Sequence, residues 1–178
     1  MTRYDEAKKM YFDYNCNEYN MKIDGVLEQF NEYGIPTRVQ EEWKTEFINI
    51  QFEKLLKEKN LYALNLLSMF ARDNTNTHLL MKLYEIYRYA NQEQDYFFIS
   101  KLCCAIINSV NLFHLKNNPS LVIGIIDEMI KEIDIIKDKM DNDKVISKVF
   151  EENGTIEQTK KILERYKKTA AKLKSKGM

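Results

Sequence analysis

Glycine and proline are scarce in this chain, which has five glycines and two prolines among 178 residues. Folds built from β-strands need many tight turns, and tight turns draw heavily on these two residue types. The scarcity therefore argues against an all-β protein and favours long helices joined by short polar loops. The hydrophobic share of 44% is enough for a sizeable core, and the length fits one all-helical domain over residues 1–178.

An excess of charge is also lacking, because 27 basic residues balance 27 acidic ones. No global field attracts nucleic acid or an anionic membrane to such a chain. The apolar runs are too short to span a bilayer, and residues 2–6 have neither the basic nor the apolar segment of a signal peptide. We therefore expect a cytoplasmic protein that does not enter a membrane. Frequent Lys, Asn and Ile are compatible with an AT-rich bacterial genome.

Cysteine and histidine, which carry most thiol and metal chemistry, are few. Cys16, Cys103 and Cys104 show no CxxC spacing, and adjacent cysteines on a helix point in different directions, which disfavours a disulfide between them. We expect reduced thiols in the core. His78 and His114 belong to no metal-binding motif, and we expect each to lie in a solvated loop or at a helix end.

Recognisable catalytic and cofactor motifs are missing too. The glycines are scattered singly, so no phosphate-cradling GxGxxG or GxxxxGK loop occurs. Glu42 and Glu46 lie one helical turn apart, as do Glu128 and Glu132, but the Glu-x-x-His partners of a di-iron site are lacking. We therefore predict a non-catalytic protein without a metal or cofactor. An enzyme with an unrecognised site is the last alternative.

Helical periodicity dominates the remaining sequence. Asn118 is a good N-cap and Pro119 suits the first helical position. Apolar residues then recur at alternating spacings of four and three: Val122, Ile126, Met129, Ile133, Ile136 and Met140. A buried strand over residues 121–126 is the rival interpretation, but the stripe continues past it without a turn residue. We predict a central long helix over residues 119–141.

The whole chain predicts an all-α fold of seven to eight helices in a compact array of antiparallel helical hairpins around that long helix. Helix starts at Asn60, Thr77 and Asp95 are 17 or 18 residues apart. Such spacing occurs in helical bundles and in short solenoid-like stacks, and the sequence leaves both open. The segment 96–110 is apolar on almost every side, so we expect it to pack directly against the long helix.

Turn and cap chemistry predicts several boundaries. We expect one helix over residues 23–33, a loop over 73–76 and an open connection over 114–118. A capping-box spacing at Thr155 begins the last helix, and the tail over 174–178 is expected to fray. Residues 1–59 form a candidate N-terminal subregion.

The predicted last helix, over residues 155–176, is strongly basic. From residue 155 to the end there are eight Lys or Arg and two Glu. Clustered cations can bind phosphates, so a nucleic-acid-associated protein is an alternative. The rest of the chain carries the opposite charge and can neutralise this helix, so nucleic acid is not the favoured partner.

Aromatic residues are abundant, at 12% of the chain, and eleven of them are tyrosine. Tyr and Trp often anchor interfaces, although we expect Trp43 to lie in the core. The candidate partner-binding residues lie in two aromatic stretches: Tyr11, Tyr14, Asn15, Tyr19, Tyr84, Tyr87 and Arg88. We predict an intracellular module of regulatory, adaptor or toxin-neutralising type that binds another protein through aromatic-rich helical surfaces, as a monomer or homodimer.

Overall fold

A computed structural model describes residues 2–73, 77–154 and 156–177. These residues form eleven α-helices and no strand, so the predicted all-α class is confirmed. The predicted number of seven to eight helices is too low, because apolar periodicity does not reveal short helices such as Glu18–Ile23 and Leu112–Asn117. The chain divides into two units, Met1–Glu58 and Lys59–Met178.

The first unit contains four helices: α1 (Arg3–Asp13), α2 (Glu18–Ile23), α3 (Leu27–Asn31) and α4 (Thr37–Glu58). The single predicted helix over residues 23–33 is wrong. Ile23 ends α2, and Gly25 follows with a φ of +72°, a left-handed conformation that stops the helix before α3 begins. Trp43 is buried, and its ring meets that of Tyr4 edge-to-face at 5.1 Å, which confirms its core position.

The second unit contains seven helices: α5 (Leu61–Asp73), α6 (His78–Glu93), α7 (Tyr96–Ser109), α8 (Leu112–Asn117), α9 (Pro119–Asn142), α10 (Lys144–Glu152) and α11 (Ile156–Gly177). Two predicted starts have side-chain caps. Asn60 accepts the amide of Ala63 at 3.0 Å, and Asp95 accepts the amide of Phe98 at 3.1 Å. Residues 74–76 of the predicted loop, and Thr155 with its predicted capping box, lie outside the described residues.

The core of the second unit is built largely on α7 and α9. α7 packs against α5, α6, α9, α10 and α11, and α9 packs against α7, α8, α10 and α11. The direct contact between α7 and α9 that the apolar pattern predicted is therefore present. Every residue of the predicted α9 stripe, from Val122 to Met140, is at most 2% exposed. The apolar periodicity thus identified the inner face of α9.

Helix α8 replaces the open connection predicted over residues 114–118. Asn111 accepts the amide of His114 at 2.8 Å, and the His114 ring nitrogen Nδ1 accepts the amide of Asn111 at 3.4 Å. His114 is fully buried, so its predicted solvation is wrong, whereas His78 lies exposed at the start of α6 as expected. At the other end of the unit, the α11 backbone stays helical through Gly177, across most of the tail expected to fray.

None of the helices in the described part of the chain combines the length and the apolar character that a membrane span requires.

Candidate functional site

The structure separates the predicted partner-binding residues by burial. Tyr11 and Tyr87 are only 4% and 1% exposed, so neither lies on a surface that a partner can reach, and this part of the prediction is corrected. The ring of Tyr11 stacks on Phe30 at 5.3 Å, which holds it in the core of the first unit. The other candidates are half-buried or exposed: Tyr14, Asn15 and Tyr84 are half-buried, and Tyr19 and Arg88 are exposed.

The first candidate stretch, over residues 11–20, contains the corner between the end of α1 and the start of α2. Asn15 and Cys16 adopt φ values of 55° and 53° there, and the Asn17 side chain caps α2. The corner contributes to a pocket of about 280 Å³, lined by Asp13, Tyr14, Asn15, Asn20, Ile23 and Asp24. Tyr19, on the same short helix, is 70% exposed. The corner is therefore a small acidic pocket with apolar side chains at its edge.

Two tyrosines of α6 meet two glutamates of α9 inside the second unit. The Tyr87 hydroxyl donates a hydrogen bond to Glu132 at 3.0 Å, and the Tyr84 hydroxyl donates one to Glu128. The two tyrosine rings stack with centroids 5.9 Å apart. These two tyrosines therefore serve packing and internal hydrogen bonding between α6 and α9, whereas Arg88 of the same stretch is exposed.

Burial sets the proton affinity of this cluster. Desolvation raises the pKa of the Glu132 carboxyl, the Tyr87 hydrogen bond opposes that rise, and the nearby Glu128 charge adds to it. Desolvation and the hydrogen bond to Glu128 raise the pKa of Tyr84 to about 12. Burial also raises the pKa of the Cys103 thiol well above its usual value. The Tyr84 and Tyr87 hydroxyls therefore stay protonated near neutral pH, and Cys103 offers no thiolate nucleophile.

Replacing Glu132 with glutamine should change how stability depends on pH. Burial makes the folded protein retain a proton that an unfolded glutamate loses above about pH 4.3. From that pH up to the raised folded pKa, the wild type loses stability as pH rises. The stability of Glu132→Gln minus that of the wild type should therefore increase across this window, as measured by urea denaturation. Glu151→Gln, at an exposed position, is the control. A stability difference between Glu132→Gln and the wild type that does not change with pH would contradict the burial argument.

The two glutamate pairs that the sequence offered as carboxylate clusters are engaged in other contacts. Glu46 accepts two hydrogen bonds from Lys8, at 2.6 and 2.7 Å, and Glu42 lies 3.3 Å from Arg38. Glu128 and Glu132 bind the tyrosines described above. Within the described residues, no three His, Cys, Asp or Glu side chains come together as metal ligands.

A groove of about 670 Å³ lies between α5, α7 and α11. Each helix contributes one stripe of residues to it. Among its lining residues are three exposed apolar side chains, Leu61, Met69 and Ile162, with exposures of 38%, 42% and 44%. Leu64 and Leu163 are buried lining residues that extend this apolar surface inward. The groove is therefore an open concavity with both apolar and polar lining residues, of the size class that binds ligands or partner side chains.

Hydrogen bonds of two serines show the relative direction of α5 and α7 along the groove. The Ser68 hydroxyl donates to the Ala105 carbonyl at 3.0 Å, and the Ser109 hydroxyl donates to the Ser68 carbonyl at 3.3 Å. Just beyond the end of α7, the Asn111 side chain donates to the carbonyl of Arg72 near the end of α5. Because later residues of α5 meet later residues of α7, the two helices are parallel.

The charge lining the groove is entirely positive among the described residues. Arg72, Lys101 and Arg165 line it, and no described Asp or Glu does. The charges of Lys101 and Arg165 both lower the pKa of the Cys104 thiol, although the larger effect of burial raises this pKa to about 12. The groove thus combines an apolar surface with cations and without a reactive thiolate.

Four ion pairs join α9 and α11 in antiparallel register. They are Lys160–Asp141, Lys167–Asp134, Lys174–Asp127 and Lys137–Glu164. In the last three, the shortest Nζ–oxygen distance is 2.6 to 2.8 Å. Seven residues forward along α9 match seven residues back along α11, which is the spacing of a coiled coil. Three lysines of the basic helix are therefore neutralised within the protein.

Comparison with known proteins adds no assignment to these surfaces. The chain matches no protein family model, and no curated protein or solved structure matches it. The functional interpretation therefore depends on the geometry of the corner, the tyrosine–glutamate cluster and the groove.

Reversing one charge of the α9–α11 ladder should lower stability in a salt-dependent way. Lys167→Glu places a second carboxylate opposite that of Asp134, and a partly exposed pair of this kind changes the free energy of unfolding by about 0.5–1 kcal/mol. High salt should shrink the loss. The swapped pair Asp134→Lys with Lys167→Asp should recover most of it in thermal unfolding experiments. The exposed neighbour Lys168→Glu serves as the control; an equal loss there would refute the specific pairing.

Sequence reasoning missed the groove and the register of the ladder. The groove residues come from three helices spread over about a hundred residues of the chain, so no local pattern unites them. The ladder did leave a signal. Aspartates at positions 127, 134 and 141 and lysines at 160, 167 and 174 repeat every seven residues with opposite sign. Comparing the two heptad patterns would have predicted an antiparallel pairing of α9 with α11.

Proposed function

We propose that the protein is a non-catalytic, cytoplasmic binding module that recognises another protein through the groove between α5, α7 and α11. The observation that carries the proposal is the exposure of Leu61, Met69 and Ile162 in one concave surface. Apolar side chains gathered in an exposed concavity mark binding sites more often than scattered ones do. Regulatory, adaptor and toxin-neutralising proteins all act by such binding.

The chemistry of the described residues supports a non-catalytic role. The thiols of Cys16 and Cys104 have pKa values raised by burial to about 12, which disfavours nucleophilic attack. In the described part of the chain, no buried polar side-chain atom lacks a hydrogen-bond partner. Free cysteines at 16, 103 and 104 fit a reducing compartment such as the cytoplasm.

The ion-pair ladder weakens the nucleic-acid alternative. Lys160, Lys167 and Lys174 of the basic helix already contact aspartates of α9, and Lys161 lies 3.6 Å from Glu157 on its own helix. Fewer cations are then available for phosphate contacts. We expect no binding to generic duplex DNA that varies with salt concentration.

Affinity capture from a native cell extract tests the proposal when it is run with surface variants. The double variant Met69→Asp and Ile162→Asp places charges in the groove at exposed positions, so the fold should persist, as thermal unfolding can verify. We expect the captured partner to be lost with this variant and retained with Tyr19→Ala and Arg88→Ala. Retention by the groove variant would refute the proposal, and loss with Tyr19→Ala alone would assign binding to the N-terminal corner.

A further inference from the structure

The cations of the groove stand near its two ends. Ser68 of α5 lies level with the α7 segment between Ala105 and Ser109, as their hydrogen bonds show. Lys101 therefore lies before this level and Arg72 after it. At about 1.5 Å per residue, the two positions are separated by roughly 15 Å along the groove, or about three helical turns. Arg165 of α11 lines the same groove, and its charge acts on the Cys104 thiol as that of Lys101 does.

These cations have little anionic compensation. Lys101 lies 4.8 Å from the centroid of the Phe97 ring, and Arg165 lies 5.5 Å from that of Tyr166. Neither forms an ion pair with another described residue, while Arg72 lies 3.3 Å from the exposed carboxylate of its neighbour Asp73. Rings attract cations without neutralising them, so a carboxylate entering the groove gains electrostatic attraction at both ends.

Away from the cations the groove is lined by apolar side chains, the exposed Met69 of α5 and Ile162 of α11 and the buried Leu64, together with uncharged polar side chains such as Asn65 and Asn108. A ligand that satisfies both features needs an apolar stripe flanked by negative charges about three turns apart. An amphipathic helix presents such a stripe, and laying its apolar face in a groove is a common mode of peptide recognition.

We infer that the groove binds an acidic amphipathic helix of the partner protein, with carboxylates about ten or eleven residues apart contacting Arg72 at one end and Lys101 with Arg165 at the other. This inference rests on the proposed function. The fold already contains one example of the same chemistry, because the lysines of α11 hold the aspartates of α9 on another face of α11.

A display library of helical peptides about 16 residues long tests the inference. An apolar stripe is kept constant and the flanking positions are randomised, and the full chain is the bait. We expect enrichment of Asp and Glu at positions about three turns apart around the stripe. Selection of neutral or basic flanks, or no enrichment, would overturn the inference.

A second experiment measures the affinity of an enriched peptide for matched variants of the protein. The double variant Lys101→Gln and Arg165→Gln should weaken binding by about tenfold or more in fluorescence anisotropy. The control, Lys161→Gln with Lys168→Gln, removes the same charge from outside the groove lining and should leave affinity unchanged. Equal losses in both would overturn the inference. So would self-association of the chain that Ile162→Asp abolishes, because a second copy would then occupy the groove.

The two tests can fail separately. If capture from extract depends on the groove while displayed helices show no acidic preference, the protein-binding function stands and the acidic-helix inference falls. If capture does not depend on the groove, the proposed function falls first.

Discussion

Replacing Leu102 with alanine should lower the free energy of unfolding by about 2–5 kcal/mol. Leu102 is fully buried on α7, the helix that packs against α5, α6, α9, α10 and α11. Truncation there removes apolar burial and leaves a cavity that several surrounding helices cannot close at once. Because small domains are only marginally stable, a loss of this size is a large fraction of the total. Urea denaturation monitored by circular dichroism measures it.

Leu121→Ala is the matched control for this substitution. This variant also replaces a leucine with alanine, but the side chain of Leu121, on α9, is 43% exposed. We expect a loss of less than about 1 kcal/mol, since little burial and no cavity are involved. Similar losses for the two variants would contradict the assignment of α7 to the core.

Tyr87→Ala should produce a loss of similar size, about 3–5 kcal/mol. The substitution removes a buried ring from α6 and also leaves Glu132, which is 5% exposed, without its 3.0 Å hydrogen bond. Burying an unpaired polar group adds to the cavity term. Tyr89→Ala, on the same helix but 61% exposed, should change stability by less than about 0.5 kcal/mol. If Tyr87→Ala were equally mild, Tyr87 would be a surface residue after all.

The conservative change Tyr87→Phe separates the hydrogen bond from the packing. It keeps the ring and removes only the hydroxyl, so we expect a loss of about 1–3 kcal/mol. Combining it with Glu132→Met removes both polar partners, and the double variant should then lose less than the sum of the two single variants. Additive losses would indicate that the hydroxyl and the carboxylate act independently.

The long helices were predictable because they carry complete signals. Helix α9 has a cap residue and a proline at its start and an unbroken apolar stripe, so its predicted span of 119–141 differs from Pro119–Asn142 by one residue. The short helices α2, α3 and α8 have five or six residues each, too few to show two turns of periodicity. Their existence depends on local caps such as Asn17 and Asn111 and on burial of a few side chains.

The tyrosines show the limit of composition as a guide to interfaces. Tyr11 belongs to the stripe that marks the inner face of α1, together with Tyr4, Ala7 and Tyr14. Of these, Tyr11 and Ala7 are buried whereas Tyr4 is 46% exposed. A tyrosine can pack its ring and also donate a hydrogen bond, so its abundance is as compatible with a core as with a surface. Only contacts with other helices distinguish the two roles.

The amino-acid sequence by itself determined the helical class, the main helix boundaries, the apolar character of α7, the inner face of α9 and the basic character of α11, because periodicity, capping and charge are local properties. The tertiary structure decided which lysines of α11 are neutralised by α9, which tyrosines are buried and that Arg72, Lys101 and Arg165 line one groove. These properties depend on the register and packing of helices distant in the chain, which arise from the summed contacts of the whole core.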